Sequence, residues 1–497
     1  MTSDRSRTII DKIFSYDVLK DLDRDALVKK HDVTDAIDEI NAPLRSQAGP
    51  IAQPEFFVPA LADFIIMAIP PEGLTLGYPG TYKFAGDLVW QPDPAKGAGA
   101  AITIVASGVV LDMGGHTLKA VVQDSSQSLA GIYAHGAMEI TIKNGMLVDM
   151  GYYGVCAETI IGLTIENVTV SGLVFRNLNR RSLCPAGIFV KASEGVTISG
   201  CSVQYVYATA DTCAGIFLLE TSLGMVSGCR VSDLVNYDGV AAGYYYMLSS
   251  AIATSDCHVK NLQTYFNGNI RSAGHTAIGF LPCLSMELTF EGCSASNITG
   301  SCDDCHGMSV FIVALVKVKN FTAHAITDGP PPYNTGAKAT GLEVYGALIS
   351  VEDSSVENIK AINPQDKQAT GFSVWGWDIA ITNCTATNVV VCDENGGQNP
   401  ALGYGTGFGW APDPRITSGA YYVTYERCSA LNCQVGFDTW MHVDSKWIDP
   451  QTSDCKIPIL VQPGESRTLS GNPASECNPP ITVVVKNIAS GNEYPPP

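Results

Sequence analysis

Three segments in direct succession, Gly187-IFVKASEGVTISG-Cys201, Gly215-IFLLETSLGMVSG-Cys229 and Gly243-YYYMLSSAIATSD-Cys257, carry the reading of this chain. The glycines are 28 residues apart and each precedes its cysteine by 14. A period of this length marks stacked supersecondary units, none of which buries its apolar face alone. Within a unit the alternation has period two. Ile188 and Val190 point one way and Phe189 and Lys191 the other, and Val196 and Ile198 repeat the pattern before a Ser-Gly break. Each unit therefore reads as three short strands separated by bends. The constant offset favours stacking in register, with equivalent positions about 4.8 Å apart.

The repeat extends in both directions. Gly279 to Cys293, Gly307 to Phe321 and Gly341 to Ser355 keep the 14-residue offset, Gly371 to Cys384 is one shorter, and Gly407 to Cys428 holds an insertion. Gly131 and Gly154 open looser copies, and Val109 begins the first one. This pattern resembles the pectin-lyase-like right-handed parallel β-helix superfamily. The resemblance implies an all-β solenoid of about eleven coils over residues 105–445. It says little of activity, because one fold hosts many functions: lyases, hydrolases, epimerases and inert viral or adhesive shafts all use it.

The flanks differ from this body. Residues 1–42 are rich in charge, with Ile9, Ile13, Val18 and Leu22 among apolar residues at helical spacing, and read as an amphipathic helical cap or anchoring segment. Residues 43–104 read as a proline-rich linker with entry strands, and 446–497 as an irregular C-terminal tail or cap.

Composition bounds the partners. A net charge of −19, from 30 basic and 49 acidic residues, opposes nucleic-acid binding. The most apolar run, Phe56 to Ile69, is broken by Pro59 and Asp63 and is too short to span a bilayer. The polar start MTSDRSRTIIDK lacks a leader, so the expectation is synthesis in the cytosol without a cleaved signal peptide, with a virion or surface as destination. All 16 cysteines lie at or after Cys156. Those sharing the repeat position read as a stack of small buried hydrophobes, free rather than bridged.

The candidate chemistry concentrates at Ser301-CDDCH-Gly307. Cys302-x-x-Cys305-His306 has the spacing of haem attachment, which the fold gives no pocket to use. A zinc ion would need a fourth ligand, such as Cys213 or His275 from a neighbouring coil. Calcium, the cofactor of related lyases, would need acid pairs on successive coils, which are sparse. No cofactor or metal ligand set is assigned. Lys191 and Arg271 are candidate bases without a supporting constellation. Asp303-Asp304 before Cys305 resembles the paired aspartates of polygalacturonases, hydrolases of this superfamily that use a general acid and a carboxylate base. Here the preceding coil, from Gly274 to Gly279, lacks the third aspartate, and Glu343 is the only acid near the right place on the next. Asp303, Asp304, His306 and His275 are the candidate catalytic set.

A second set is aromatic. Phe311, Tyr345, Trp375 and Trp440 fall four residues after a coil glycine, with Trp410 three after. Facing outward or set at a corner, they suit stacking on sugar rings or packing beneath loops. The sequons at Asn167, Asn297, Asn320 and Asn383 read as bend residues of the repeat. Two function classes follow. The first is a structural or recognition β-helix, of virion or surface type, with a glycan-binding aromatic face. The alternative is a carbohydrate-active enzyme, a lyase, epimerase or glycoside hydrolase, working in a groove along the solenoid. A polysaccharide or surface glycan is the expected partner, and analogy with viral solenoids points to a homotrimer.

Overall fold

The computed structural model describes residues 63–487 apart from 94, 96–97, 122–128, 177–183, 238, 266–275, 301–303, 330–337, 363–367, 394–404, 410–419, 439–441, 444, 461–464 and 471–481. The helical segment expected over 1–42 lies outside the described residues. Among those described, the regular structure is β-strand and the pairing is parallel from Asp63 to Leu460. No described helix is long and apolar enough to cross a membrane.

The strands stack into three parallel sheets, one strand of each per coil. Sheet A runs from Leu74–Leu76 to Ile457–Leu460, sheet B from Asp63–Ile66 to Ser445–Ile448, and sheet C from Leu88–Trp90 to Gln451–Ser453. The stack is longer than the glycine-marked repeat indicates. Leu74–Leu76, Gly80–Phe84 and Leu88–Trp90 join it before residue 105, and Ile457–Leu460 joins it after 445. Their alternation suffices for the ladder even where the glycine is missing. At the far end a hairpin of Glu465–Ser470 and Thr482–Asn487 lays its second strand antiparallel on Ser445–Ile448, so the last strand of sheet B is paired on both sides. An open edge there would be a template for aggregation.

The glycines of the repeat have a steric cause. A β-carbon on Gly215 would stand 2.7 Å from the carbonyl oxygen of Gly243, and one on Gly243 would stand 2.5 Å from that of Gly279. The same relation runs from Gly131 to Gly407 and continues through Gly436 to Pro458. Sheet C turns into sheet A so tightly at this column that only a hydrogen fits between coils.

The cysteine position is likewise a column. Arg230 N–H donates to the carbonyl of Cys201, His258 to Cys229, Ser294 to Cys257, Thr322 to Cys293 and Ser429 to Cys384, each one coil on. All the described cysteines are free, and the six repeat cysteines are at most 1% exposed. In the next-to-last members the offset changes. Thr385 N–H bonds to Ser354, not Ser355, so Ser354 occupies the column. The cause is a slip between the strands Cys305–Lys319 and Lys338–Glu352, where Phe311 pairs with Tyr345 but Val313 with Gly346, leaving Ile312 as the extra residue.

Bends between strands use the left-handed region. Asn167, Asn297, Asn320 and Asn383, the four sequon residues, all have φ between 52° and 54°. Asparagine tolerates this conformation because its amide bonds locally. The Asn167 amide donates to Asn144, that of Asn297 to Asn261 and that of Asn383 to Asp353, one coil to the next. Inside, aliphatic columns are joined by stacked rings. Tyr244 lies 4.8 Å from Phe280 at 3°, and Phe408 lies between Phe372 at 4.8 Å and Phe437 at 5.0 Å. Each pair adds about 0.5–1.5 kcal/mol beyond the area it buries.

Candidate functional site

Sheet A presents three outward columns, and the register shows how their chemistry changes along the stack. The first, one residue before each coil glycine, reads Ala186, Ala214, Ala242 and Ile278, then His306, Thr340, Thr370 and Thr406. The second, two residues after the glycine, reads Cys156, Phe189, Phe217, Tyr245 and Leu281, then Ser309, Glu343, Ser373 and Gly409. The third reads Lys191, Leu219, Met247 and Cys283, then Phe311, Tyr345 and Trp375. In the early coils these columns form an apolar cluster of their own around Phe189 and Phe217, stacked on Tyr153 and Tyr245. Burial pushes the thiol of Cys283, next after Met247 in the third column, up to about 11.

At the coil of Cys305–Lys319 the first two columns turn polar while staying buried. His306 and Ser309 are each 3% exposed, and Thr340 is fully buried. The imidazole of His306 has one carboxylate near each ring nitrogen: Asp304 Oδ2 lies 4.0 Å from Nε2 and Glu343 Oε2 lies 3.7 Å from Nδ1. Ser309 Oγ donates to Glu343 Oε2 at 2.6 Å. His306 Nδ1 and Thr340 Oγ1, on directly paired residues, have no hydrogen-bond partner among the described residues. Buried polar atoms normally have one, since leaving them bare costs about 1–3 kcal/mol. The arrangement brings two carboxylates, an imidazole and a threonine hydroxyl onto one face across two coils.

Beside it runs the aromatic column. Phe311 meets Tyr345 edge-on at 5.4 Å, and Tyr345 stacks on Trp375 at 3.7 Å and 10°. Trp375 is 2% exposed, while Phe311 and Tyr345 are half-buried. The row walls the polar face on its sheet-B side.

Of the residues singled out from sequence, Asp304 and His306 are brought together here, and Phe311, Tyr345 and Trp375 form one contiguous row. Asp303, His275, Trp410, Trp440, Cys302 and Arg271 lie outside the described residues. Lys191 stands in the third column four coils before Phe311, about 19 Å away at the coil spacing, and is not part of the cluster. The described members of the zinc grouping do not share a face. Cys305 faces the core with Cys213, both fully buried, whereas His306 faces outward from the adjacent position. Among the described residues no group of three His, Cys, Asp or Glu side chains is placed to hold a metal ion.

Ser309, Thr340 and Ser373 are absent from the sequence-derived set, and Glu343 appears there only as a neighbouring acid. Their signal exists, because aligning the coils on their glycines exposes the switch from Phe189, Phe217 and Tyr245 to Ser309, Glu343 and Ser373 at one repeat position.

Comparison with known proteins bears on the fold. The family described as a right-handed β-helix region matches residues 130–315. No curated protein matches the chain. Among solved structures, the chain is similar to the A-module of mannuronan C-5 epimerase AlgE4 from Azotobacter vinelandii, at 11% identity and a TM-score of 0.34, over 77% of this chain and 89% of that one. It is similar to an exopolygalacturonase from Thermotoga maritima, at 11% identity and a TM-score of 0.33, over 71% and 87%. A tailspike protein of the E. coli bacteriophage HK620, in complex with a pentasaccharide, overlaps at 11% identity and a TM-score of 0.36, over 82% and 84%. These likenesses transfer no residue role. Taken with the parallel ladders and the coil glycines, the family match over residues 130–315 shows that the chain has a right-handed parallel β-helix fold.

Proposed function

We propose that this chain is a glycan-recognising β-helix whose contact face is the outer surface of sheet A across the strands that begin at Cys305, Lys338 and Gln368. One observation carries the reading. Two outward columns that are apolar in every coil from Ala186 to Leu281 become hydroxyl- and acid-bearing from His306 and Ser309 onward, and they leave His306 Nδ1 and Thr340 Oγ1 buried without hydrogen-bond partners among the described residues. A purely structural face would gain stability from continuing the apolar stack, so the switch is a cost that a ligand offsets. Hydroxyls of a sugar match such a set, and the Phe311–Tyr345–Trp375 row gives an apolar wall beside it. The stack from Leu74 to Leu460 makes a rod about 60 Å long, rigid enough to hold this face on a surface or virion. Screening the purified chain against a broad glycan array tests the proposal. Binding that is lost in His306→Ala and Tyr345→Ala supports it, and no binding across the array ends it.

The enzymatic reading rests on the same imidazole. His306 lies within 4.0 Å of Asp304 and 3.7 Å of Glu343, which suits an acid–base pair acting on a glycosidic bond. Product formation from a bound oligosaccharide that disappears in Glu343→Gln would select it. Binding without turnover selects recognition alone.

A further inference from the structure

We infer that this face selects neutral, hydroxyl-rich sugars and turns away uronates; the inference rests on the glycan reading and names the ligand class for that same face. The described charges set the selectivity. Asp304 and Glu343 bring two carboxylates to the His306 imidazole, with side chains 26% and 13% exposed. Lys338, one coil on from Asp304 at the equivalent position and 8% exposed, offsets one of them, which leaves the described cluster negative when the imidazole is neutral.

The donors point the same way. The Ser309 hydroxyl, the nearest donor to Glu343, is already engaged by that carboxylate. Among the described residues, the buried side-chain atoms without a hydrogen-bond partner on this face are one imidazole nitrogen and one threonine hydroxyl. A sugar hydroxyl can donate to Glu343 and accept from Thr340, so it satisfies both sides of such a site. A uronate carboxylate is an acceptor only. It would bring a third negative charge beside the other two, in surroundings where solvent screens poorly, and it would compete for few donors. The net charge of −19 adds a long-range field of the same sign.

The test uses matched oligosaccharides that differ only in oxidation at C6, galactose against galacturonate and mannose against mannuronate oligomers. They are titrated calorimetrically into the full chain in the presence of a chelator, so that no cation bridges two carboxylates. The expected result is binding of a neutral member with its uronate partner at least tenfold weaker, and a gap that narrows in Glu343→Gln because the variant tolerates the uronate better. Equal or tighter uronate binding by the unmodified chain overturns the inference while leaving glycan recognition standing. An unchanged gap in both Glu343→Gln and Asp304→Asn also overturns it, because the discrimination would then arise elsewhere. If neither member of any pair binds and the array is blank as well, the glycan reading itself falls and this inference with it. Should a variant fail to fold, the comparison on the unmodified chain still decides.

Discussion

The hydroxyl of Ser309 and the carboxylate of Glu343 meet at 2.6 Å across two adjacent coils, although 34 residues separate them in the chain. This bond holds Glu343 on the face where the neighbouring imidazole lies at 3.7 Å. A hydrogen bond to a charged group contributes about 1.5–3 kcal/mol. Ser309→Ala is therefore expected to lower unfolding free energy by no more than that, and to weaken glycan binding because the carboxylate loses its anchor. Urea denaturation and glycan titration on the same variant separate the two effects. A variant that unfolds more easily yet binds unchanged would show that the bond serves stability alone.

Gly215 and Gly228 are glycines for different reasons. Gly215 has an ordinary φ but no space, since a β-carbon there would stand 2.7 Å from Gly243 O. Gly228 has space but φ +60°, at the bend where equivalent coils carry Asn167, Asn320 and Asn383. Gly215→Ala is expected to cost about 1–3 kcal/mol as an overpacked core does. Gly228→Asn is expected to be neutral or stabilising by up to about 1 kcal/mol, through the reduced freedom of the unfolded chain. Equal destabilisation by both substitutions in urea would refute the steric account of the glycine column.

Trp375 is 2% exposed and stacked at 3.7 Å on Tyr345. Its replacement by alanine removes a large buried side chain, a change that usually costs about 3–5 kcal/mol. Trp375→Phe keeps most of the stack and is expected to retain the fold while binding glycan more weakly. Thermal melts followed by circular dichroism give the first comparison, and titration with an array-identified glycan gives the second.

Cys433 and Cys455 occupy equivalent positions on successive coils, with Lys456 N–H bonded to the carbonyl of Cys433. The neighbouring Cys433 thiol brings Cys455 down to about 7, whereas Cys433 itself is pushed up. An unperturbed thiol titrates near about 8.5. Cys455 thus binds fewer protons folded than unfolded between those values, so its contribution to stability is present above about 8.5 and is lost as pH falls through about 7. Alkylation by iodoacetamide, read by peptide mass spectrometry, should label Cys455 with a rate midpoint near 7. In Cys433→Ala that midpoint should rise toward the ordinary thiol range. A midpoint that does not move would mean that the neighbouring thiol is not the cause.

The period of glycines and cysteines was enough to read a parallel solenoid, because both are imposed by short-range geometry that every coil repeats. A carbonyl one coil away forbids a side chain at Gly215, and the corner before Arg230 takes the small apolar side chain of Cys229. Alternation within each strand likewise showed which residues face the core. What a linear reading does not supply is adjacency between coils of unequal length. Ile312 shifts the register by one residue, and only the stacked strands reveal that Ser354 rather than Ser355 continues the cysteine column. The same holds for the site. Cys305 and His306 are neighbours in sequence but face opposite sides of a pleated strand, whereas His306 and Glu343 are far apart in sequence and close in space. Strand pairing, with its fixed spacing between chains, decides which side chains can act together, and it is set by the path of the whole coil rather than by any local motif.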